Sequence, residues 1–257
     1  MSSQRIALSL VIPAYNEAKR LPPYLHSVRT HLASRYAGSH EVIVVDDGSS
    51  DGLEEILQGF AADWPQLRFV RHQRNQGKGA AVRTGVLAAQ GELILFADAD
   101  GATPIDEEAR LAEAIHAGAE LAIGSRLLPA EGLARSRTRL RGLAGRCFAA
   151  LARRLLRLPV QDTQCGFKMF RRDAAHRLFG LVRESGYLFD LEVLALAQRL
   201  GYRIAEVPVR WSEIPGGHLS MTRHLGSILA ALWRVHRRVK QSVGPEAPFC
   251  DQADRTL

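Results

Sequence analysis

Short apolar runs alternate with longer stretches of helical periodicity through the first half of the chain. Such alternation is typical of βαβ units and predicts an α/β fold, with a mostly parallel central sheet flanked by helices. The predicted strands are Ala7–Ile12, Glu41–Val45, Arg68–Arg71, Glu92–Ala97 and Glu120–Ile123. The predicted helices between them are Glu17–Ser34, Gly52–Phe60, Gly79–Ala89 and Asp106–Ala117.

The second half of the chain is less regular. Arg137–Arg157 carries an apolar stripe, which includes Leu151 and Leu155, beside a basic one, so it predicts an amphipathic helix. Polar residues over Asp162–Lys168 predict a turn. The remaining predicted elements are a helix over Leu188–Leu200, a strand over Arg203–Val207 and a basic amphipathic helix over Met221–Lys240. No linker divides the chain, so we expect a single domain over residues 1–243 and a flexible tail over residues 244–257.

The composition excludes several classes of protein. With 46% apolar and 24% charged residues among 257, the chain is neither a coiled coil nor collagen-like nor wholly disordered. Its three cysteines have no C-x-x-C spacing, which argues against a disulfide framework or a zinc site. The N-terminal apolar run is too short to cross a membrane, so we expect no signal peptide and no transmembrane segment.

The positive charge is concentrated in one segment. Residues 126–172 hold twelve Lys or Arg against two acids, an excess larger than the net charge of +7 for the whole chain. This concentration predicts an anionic partner, which is a phosphate group, an anionic membrane surface or a nucleic acid. Nucleic acid is the least favoured of the three, because aromatic residues make up only 7% of the chain and no recognised nucleic-acid motif is present.

Two carboxylates, Asp98 and Asp100, directly follow the apolar run Leu93–Ala97. Mg²⁺ and Mn²⁺ are usually held by one or two such carboxylates together with substrate phosphates, although a helix-capping turn explains the same pattern. In an open α/β sheet the ligand lies at the carboxyl ends of the strands. The polar turns that follow the other strands are therefore expected in the same crevice.

Three of these other turns suggest chemistry. The pair Asp46–Asp47 suits the amide edge of a base or the hydroxyls of a ribose, or else forms an Asx-turn that needs no ligand. The loop Arg74–Gly79 combines flexible backbone, Lys78 and a helix N-terminus, which together suit a phosphate. It matches neither the P-loop nor the dinucleotide-binding fingerprint. Arg126 suits a bidentate grip on a phosphate, unless it belongs to a solvated basic face.

The motifs VIPAYNE, VVDDGSSD, RNQGKGAAVRTG, GELILFADADGAT, IGSR, DTQCGFK, FDLE and WSEIPG follow one another over roughly residues 7–235. Together they resemble the family 2 glycosyltransferases of GT-A fold, and within that family the dolichyl-phosphate β-glucosyltransferases. The resemblance implies an inverting enzyme that moves glucose from UDP-glucose to a polyprenyl phosphate and gives a β-linked product. Two alternatives stay open, which are a mannosyltransferase that uses GDP-mannose and an enzyme with a hydroxyl acceptor.

The resemblance also implies roles for individual residues. Asp98 and Asp100 would hold Mg²⁺ or Mn²⁺, and Lys78 would lie near the diphosphate. Independently of the resemblance, the carboxylate of Asp190 suits a base if the acceptor is a hydroxyl. The residues expected to bind the acceptor phosphate are Arg126 and Arg139. Those expected to hold the nucleoside are Pro13, Tyr15, Glu17 and Asp47. Those expected at the sugar end are Asp162, Gln164, Asp190 and Glu192. The relatives carry a Gly-Ser-Lys sequence where this chain has Gly217-His218, which leaves a diphosphate contact at His218 open.

The basic helices bear on location. Arg139, Arg146, Arg153 and Arg157 beside the apolar stripe, together with the basic C-terminal helix, suit docking on an anionic cytoplasmic leaflet. Packing of the stripe against the sheet explains the same pattern. We expect a cytoplasmic protein that lies peripherally at the cytoplasmic face of the membrane.

Overall fold

A computed structural model describes residues 5–129, 135–136, 150–214 and 225–242 of the chain. Its main feature is a seven-stranded sheet with the strand order β3-β2-β1-β4-β7-β5-β8. Neighbouring strands are parallel except where β7 runs antiparallel to β4 and β5, which confirms the predicted mostly parallel sheet. The strands are β1 (Leu8–Ala14), β2 (His40–Asp46), β3 (Leu67–Arg71), β4 (Leu93–Ala97), β5 (Leu121–Ser125), β6 (Arg135–Ser136), β7 (Phe167–Arg171), β8 (Ile204–Pro208) and β9 (Trp211–Ser212).

Helices cover both faces of the sheet. They are α1 (Leu21–Tyr36), α2 (Leu53–Asp63), α3 (Lys78–Ala88), α4 (Glu108–His116), α5 (Arg172–Leu181), α6 (Phe189–Arg199) and α7 (Leu225–Ser242). The helices α1, α2 and α4 pack into one apolar core, and α3, α5, α6 and α7 pack into a second core on the opposite face. Leu10 of β1 enters the first core and its neighbour Val11 enters the second. Because both faces are covered, the central strands are continuous apolar runs.

The order of the strands reverses between β1 and β4. The strands β1, β2 and β3 are added toward one edge, and α3 then returns the chain so that β4 lies on the other side of β1. Ligands of open α/β sheets bind at such a switch point, beyond the carboxyl ends of the strands. The residues that follow β1 and β4 therefore frame the expected crevice.

The predicted elements of the first half are confirmed, with ends that differ by a few residues. In the second half, α6, β8 and α7 confirm three predictions, but β7 and α5 were missed. The predicted turn over Asp162–Lys168 is wrong at its end, because Phe167 and Lys168 belong to β7. Lys168 is polar, as turn residues usually are. It can be buried in the strand because it forms an ion pair with Asp190.

The predicted amphipathic helix over Arg137–Arg157 is only partly within the described residues, of which 150–156 are helical. Here the predicted apolar stripe is shifted, because Leu151 is exposed while Ala152 and Leu156 enter the core. Leu155 packs against that core from a half-buried position, as the stripe predicted. The predicted tail, residues 244–257, lies outside the described residues, and the single-domain boundary stays a prediction.

Candidate active site

The turn that follows β4 holds two carboxylates at the switch point. The backbone N–H of Asp98 donates to the carbonyl oxygen of Gly166 at 3.0 Å. A Cβ atom on Gly166 would overlap the carboxylate of Asp98, so the close approach of the two segments requires glycine. The Oδ1 atom of Asp100 accepts a hydrogen bond from the backbone N–H of Ala102 at 3.0 Å. The backbone of Asp98 and the carboxylate of Asp100 therefore have fixed positions at the end of β4.

Lys78, the first residue of α3, brings a cation to the same place. Its Nζ atom lies 2.6 Å from Oδ1 of Asp98 and 5.4 Å from the centroid of the Phe96 ring. Burial opposes the charge on Lys78, but the carboxylates of Asp98 and Asp190 outweigh it and raise the pKa of the ammonium group. Lys78 is thus held as a cation beside the acidic turn.

The acidic pair itself is only partly neutralised. Burial raises the pKa of Asp100, and the charge of Asp98 raises it further. The backbone of Ala102 and the cations Arg20 and Lys78 oppose this shift without cancelling it. Two hard oxygen donors that repel each other fit a divalent cation such as Mg²⁺ or Mn²⁺. Among the described residues, no group of three or more His, Cys, Asp or Glu side chains is arranged to hold a metal ion.

Asp47, after β2, is engaged with the protein itself. Its carboxylate accepts hydrogen bonds from the backbone N–H groups of Gln76 at 2.9 Å and Gly77 at 2.8 Å. Nδ1 of the buried His72 lies 2.7 Å from the same carboxylate. Asp47 therefore fixes the loop that presents Lys78, and its expected contact with a nucleoside stays a prediction.

The turn after β1 is joined to the turn after β2. The backbone N–H of Asn16 donates to Oγ of Ser49 at 2.9 Å, and that of Ser50 donates to Oδ1 of Asn16 at 3.0 Å. Tyr15, the predicted nucleoside contact, is 43% exposed at this edge. Pro13 lies buried within β1. The sequence correctly predicted that these turns lie together.

Glu17 holds an arginine that was missed at the sequence level. Nε of Arg20 donates to Oε2 of Glu17 at 2.7 Å, and Nη2 donates to Oε1. The pKa of Arg20 is raised by these bonds and by the charges of Asp100 and Asp98, although burial opposes the shift. The spacing of three residues between an acid and a base, at the start of the helix predicted over Glu17–Ser34, was the available signal.

Arg126, after β5, forms a bidentate ion pair with Asp162. Its Nε and Nη2 atoms donate to Oδ2 and Oδ1 of Asp162, each at 2.8 Å, and its backbone N–H donates to Oδ2 at 2.9 Å. Burial opposes both charges, but the pair outweighs it, so the pKa of Asp162 is lowered and that of Arg126 is raised. The guanidinium group also lies 5.5 Å from the ring centroid of Trp211. Arg126 is therefore not part of a solvated basic face.

A buried ion pair joins β7 to α6. Nζ of Lys168, which is 1% exposed, donates to Oδ1 of Asp190 at 2.6 Å and to the carbonyl oxygen of Cys165 at 2.5 Å. Burial raises the pKa of Asp190, while Lys168 and Lys78 oppose the shift. Lys168 was missed as a partner because its strand was predicted as a turn.

Glu192 also binds backbone inside the protein. It accepts hydrogen bonds from the N–H groups of Arg183 at 2.9 Å and Glu184 at 2.6 Å. The next residue, Ser185, accepts a hydrogen bond from the N–H of Ala80 in α3 at 3.2 Å. Glu192 therefore positions a segment that packs beside the Lys78 loop, rather than acting as a solvent-facing helix charge.

The remaining predicted site residues are Gln164, Arg139 and His218. Gln164 is half-buried in the turn before β7. Arg139 and His218 lie outside the described residues. Their roles stay predictions.

Asp98, Asp100 and Arg126 line the same cleft. β9 closes the Arg126 side, because the backbone N–H of Ser212 donates to the carbonyl oxygen of Ala102 at 2.9 Å. Trp211, also on β9, was not assigned a role from the sequence. The cleft is lined by Asp98, Asp100, Ala102, Thr103, Arg126, Gly166, Phe167 and Trp211.

Residues 9–179 match the sequence profile described as glycosyl transferase family 2. The chain belongs to this family. A dolichyl-phosphate beta-glucosyltransferase of Trichomonas vaginalis is 40% identical over 222 residues, which are 83% of this chain and 66% of that protein. The Drosophila melanogaster protein of the same name is 37% identical over 256 residues, which are 91% of this chain and 78% of that protein. This family 2 chain is accordingly a glycosyltransferase.

The fold agrees with solved glycosyltransferase structures. Glucosyl-3-phosphoglycerate synthase from Mycobacterium tuberculosis, in complex with UDP, superposes with a TM-score of 0.65 at 23% identity, over 91% of this chain and 80% of that chain. The same enzyme with Mn²⁺, UDP-glucose and phosphoglyceric acid gives a TM-score of 0.62 at 22% identity, over 91% of this chain and 79% of that chain. The family 2 chain thus has the GT-A fold. No helix among the described residues is both long and apolar enough to span a bilayer.

Proposed function

We propose that this family 2 glycosyltransferase moves glucose from UDP-glucose to a polyprenyl phosphate, with inversion at the anomeric carbon. The observation that carries the proposal is the meeting of Asp98 and Asp100 with Lys78 and Arg126 at the switch point. This arrangement offers one place for a cation-bound diphosphate and, on the Arg126 side, one for a second anion. The relatives named dolichyl-phosphate beta-glucosyltransferase support glucose and a polyprenyl phosphate. The UDP-glucose complex of the mycobacterial synthase supports the donor.

The acceptor is its own nucleophile in this reaction. An ionised oxygen of the phosphate monoester attacks the anomeric carbon while the bond from that carbon to the UDP oxygen breaks. A phosphate monoester is largely dianionic at neutral pH, since its second pKa is about 6, so it needs no strong general base. The protein then contributes mainly by positioning and by electrostatic stabilisation.

The cationic side chains divide this work. Lys78 would lie along the diphosphate, and Arg126 with Arg139 would bind the phosphate of the acceptor. Asp162 uses Nε and Nη2 of Arg126, so Arg126 would offer its remaining Nη1 group in a fixed orientation. The ion pair therefore restricts where the nucleophile can bind.

The metal would be held by Asp98 and Asp100. Mg²⁺ or Mn²⁺ is proposed, and the Mn²⁺ complex of the mycobacterial synthase supports a divalent ion. When bound, the ion would act as a Lewis acid on the leaving diphosphate. Gly166 keeps the approach to Asp98 open, because any side chain there would displace the carboxylate.

The nucleoside and the sugar would bind on either side of the diphosphate. Tyr15 has an exposed ring that suits a base, while Pro13, Glu17 and Asp47 would shape its surroundings. We assign the sugar end to Asp162, Gln164, Asp190 and Glu192. Asp190 is buried and forms an ion pair with Lys168, so we infer that it has a structural role in the pocket. It would serve as a base only if the acceptor is a hydroxyl.

A transfer assay tests this function. Purified full-length chain is supplied with Mg²⁺ or Mn²⁺, a short-chain polyprenyl phosphate and either labelled UDP-glucose or labelled GDP-mannose, and lipid product is counted in the organic phase. We expect product from UDP-glucose alone, with a β linkage by NMR, and none after chelation of the metal. Product from GDP-mannose alone would overturn the assignment of UDP-glucose as the donor. Transfer to the unphosphorylated polyprenol, or metal-dependent hydrolysis without lipid product, would overturn the acceptor.

We also propose that the protein lies peripherally on an anionic membrane surface. The helix α7 buries Leu232, Val235 and Val239 against the core. Its other side exposes Trp233 at 60%, near the exposed cations Arg234 and Arg237. An exposed aromatic ring on a helix face that also exposes cations suits the interface of an anionic leaflet.

Vesicle sedimentation tests this location. We expect binding to vesicles that contain phosphatidylserine, weaker binding at high salt, and weaker binding still for W233A. The control is L200A, which removes a half-buried side chain that packs on the same core but belongs to another part of the chain. Equal binding to neutral and anionic vesicles would contradict the proposal.

A further inference from the structure

Arg20 lies immediately before α1 in a fixed orientation. The Nε and Nη2 groups of Arg20 donate hydrogen bonds to the carboxylate of Glu17. These two bonds fix the orientation of the guanidinium group. The backbone N–H groups of Arg20 and Leu21 donate to the carbonyl oxygen of Glu17 at 3.1 Å and 2.9 Å. The remaining group, Nη1, is buried and has no hydrogen-bond partner among the described residues. A buried guanidinium N–H without an acceptor is costly, which indicates that something else binds it.

The surroundings of Arg20 point to the acidic turn. Tyr24 lies four residues further on the same face of α1, and its ring is so close to Gly101 that a Cβ there would lie 2.9 Å from Cδ2 of Tyr24. The hydroxyl of Tyr24 is buried without a hydrogen-bond partner in the described part of the chain. The charges of Asp98 and Asp100 raise the pKa of both Tyr24 and Arg20, after the larger effects of burial on Tyr24 and of Glu17 on Arg20. Arg20 therefore faces the end of β4 from the β1 side.

Arg20 and Arg126 are arranged in the same way on opposite sides of the acidic pair. Each arginine donates hydrogen bonds from Nε and Nη2 to one carboxylate, which is Glu17 for Arg20 and Asp162 for Arg126. The strand order places the end of β4 between the end of β1, which leads to Arg20, and the end of β5, which leads to Arg126. A cation held this way binds an anion with little loss of side-chain entropy.

We infer that Arg20 is a phosphate-binding residue, whose Nη1 group contacts the diphosphate of the nucleotide-sugar donor on the side of Asp98 and Asp100 opposite Arg126. The inference rests on the proposed function for the donor, but it does not depend on the acceptor. It also gives Glu17 a different task from the expected one, since Glu17 acts through Arg20 and not on the base.

Binding of UDP without any acceptor tests this inference. UDP affinity is measured by calorimetry in Mg²⁺ for the wild-type chain, R20M and R20K, and binding of uridine is measured by NMR. We expect R20M to weaken UDP about tenfold to a hundredfold and to leave uridine unchanged. R20K, which keeps the charge without the fork, should fall between. The matched control is R29M, which removes a half-buried arginine of α1 that pairs with Asp63.

Each outcome separates the two proposals. If the wild-type chain binds UDP and R20M binds it equally well, Arg20 is not a phosphate contact and the proposed function stands. Equal weakening of UDP and uridine by R20M would show a structural role and overturn the inference. If the wild-type chain binds GDP in place of UDP, the donor assignment fails and the same comparison is made with GDP and guanosine. Should R20M fail to fold, E17Q/R20M removes both partners of the pair and keeps the test available.

Discussion

Two acidic pairs lie at the carboxyl ends of β2 and β4, which are separated in the sheet by β1. The pairs differ in which groups contact their carboxylates. At the end of β2, Asp46 accepts from the N–H of Ser49 at 2.8 Å and lies 3.5 Å from Nε of Arg71. The next residue, Asp47, accepts from two backbone N–H groups and lies beside His72. After β4, Asp98 has Lys78 as its ion-pair partner, and Asp100 accepts from a single backbone N–H.

The difference shows what distinguishes a structural carboxylate from a functional one. The carboxylates of the β2 pair hold loops, because Asp46 accepts from the turn at Ser49 and Asp47 from the loop that holds Gln76 and Gly77. In the pair after β4, burial and the charge of Asp98 raise the pKa of Asp100, so the charge of Asp100 destabilises the fold until another ligand arrives. Destabilising charge of this kind is typical of functional sites.

The largest expected effect is the loss of activity in D100N. Removing one of the two proposed metal ligands should lower kcat/KM about 100-fold or more, because metal-ion catalysis contributes several kcal/mol. Burial and Asp98 raise the pKa of Asp100, so the folded state disfavours its charge at neutral pH. We therefore expect the free energy of unfolding, measured by urea denaturation in EDTA, to be unchanged or higher in D100N. Full activity, or clear destabilisation, would remove the contrast between the two pairs.

The next effect concerns Asp162, which resembles the β2 pair because its partners lie within the protein. D162N should lower the free energy of unfolding by about 3 kcal/mol at pH 7, because Arg126 loses its buried partner. The pKa of Asp162 is lowered in the folded state, so its stabilisation is complete above the ordinary value of about 4 and is lost as the pH falls through the lowered value. Denaturation curves from pH 7 to pH 3 check this. A difference between wild type and D162N that does not shrink below about pH 4 would contradict the prediction.

The smallest expected effect is that of D47N on stability. Asparagine places an amide where the carboxylate now accepts from Gly77 or Gln76, so we expect a loss of about 2 kcal/mol in the free energy of unfolding. Chemical denaturation of D47N beside D100N gives the comparison directly. Equal stability of the two variants would mean that both acidic pairs are of one kind.

The candidate site could be predicted from the sequence as a set of turns but not as a set of contacts. The apolar runs before Asp47, Asp98 and Arg126 identified strands, and parallel strands bring their carboxyl ends to one edge. Lys168 was missed because the fold alone brings it to its partner Asp190. Arg20 was missed although its partner Glu17 lies only three residues before it. A buried lysine in a strand has the same letter as an exposed lysine in a turn.

By itself, the sequence determined the α/β architecture, the mostly parallel sheet and the gathering of polar turns at one edge, because hydrophobic periodicity and turn residues act over short distances along the chain. Only the tertiary structure decided that β7 enters the sheet antiparallel between β4 and β5. It alone also decided which carboxylates are bound by the protein and which remain for a ligand. Those features depend on pairs such as Lys168 with Asp190 and Arg126 with Asp162, whose members lie 22 and 36 residues apart. No local pattern records which donor will meet which acceptor.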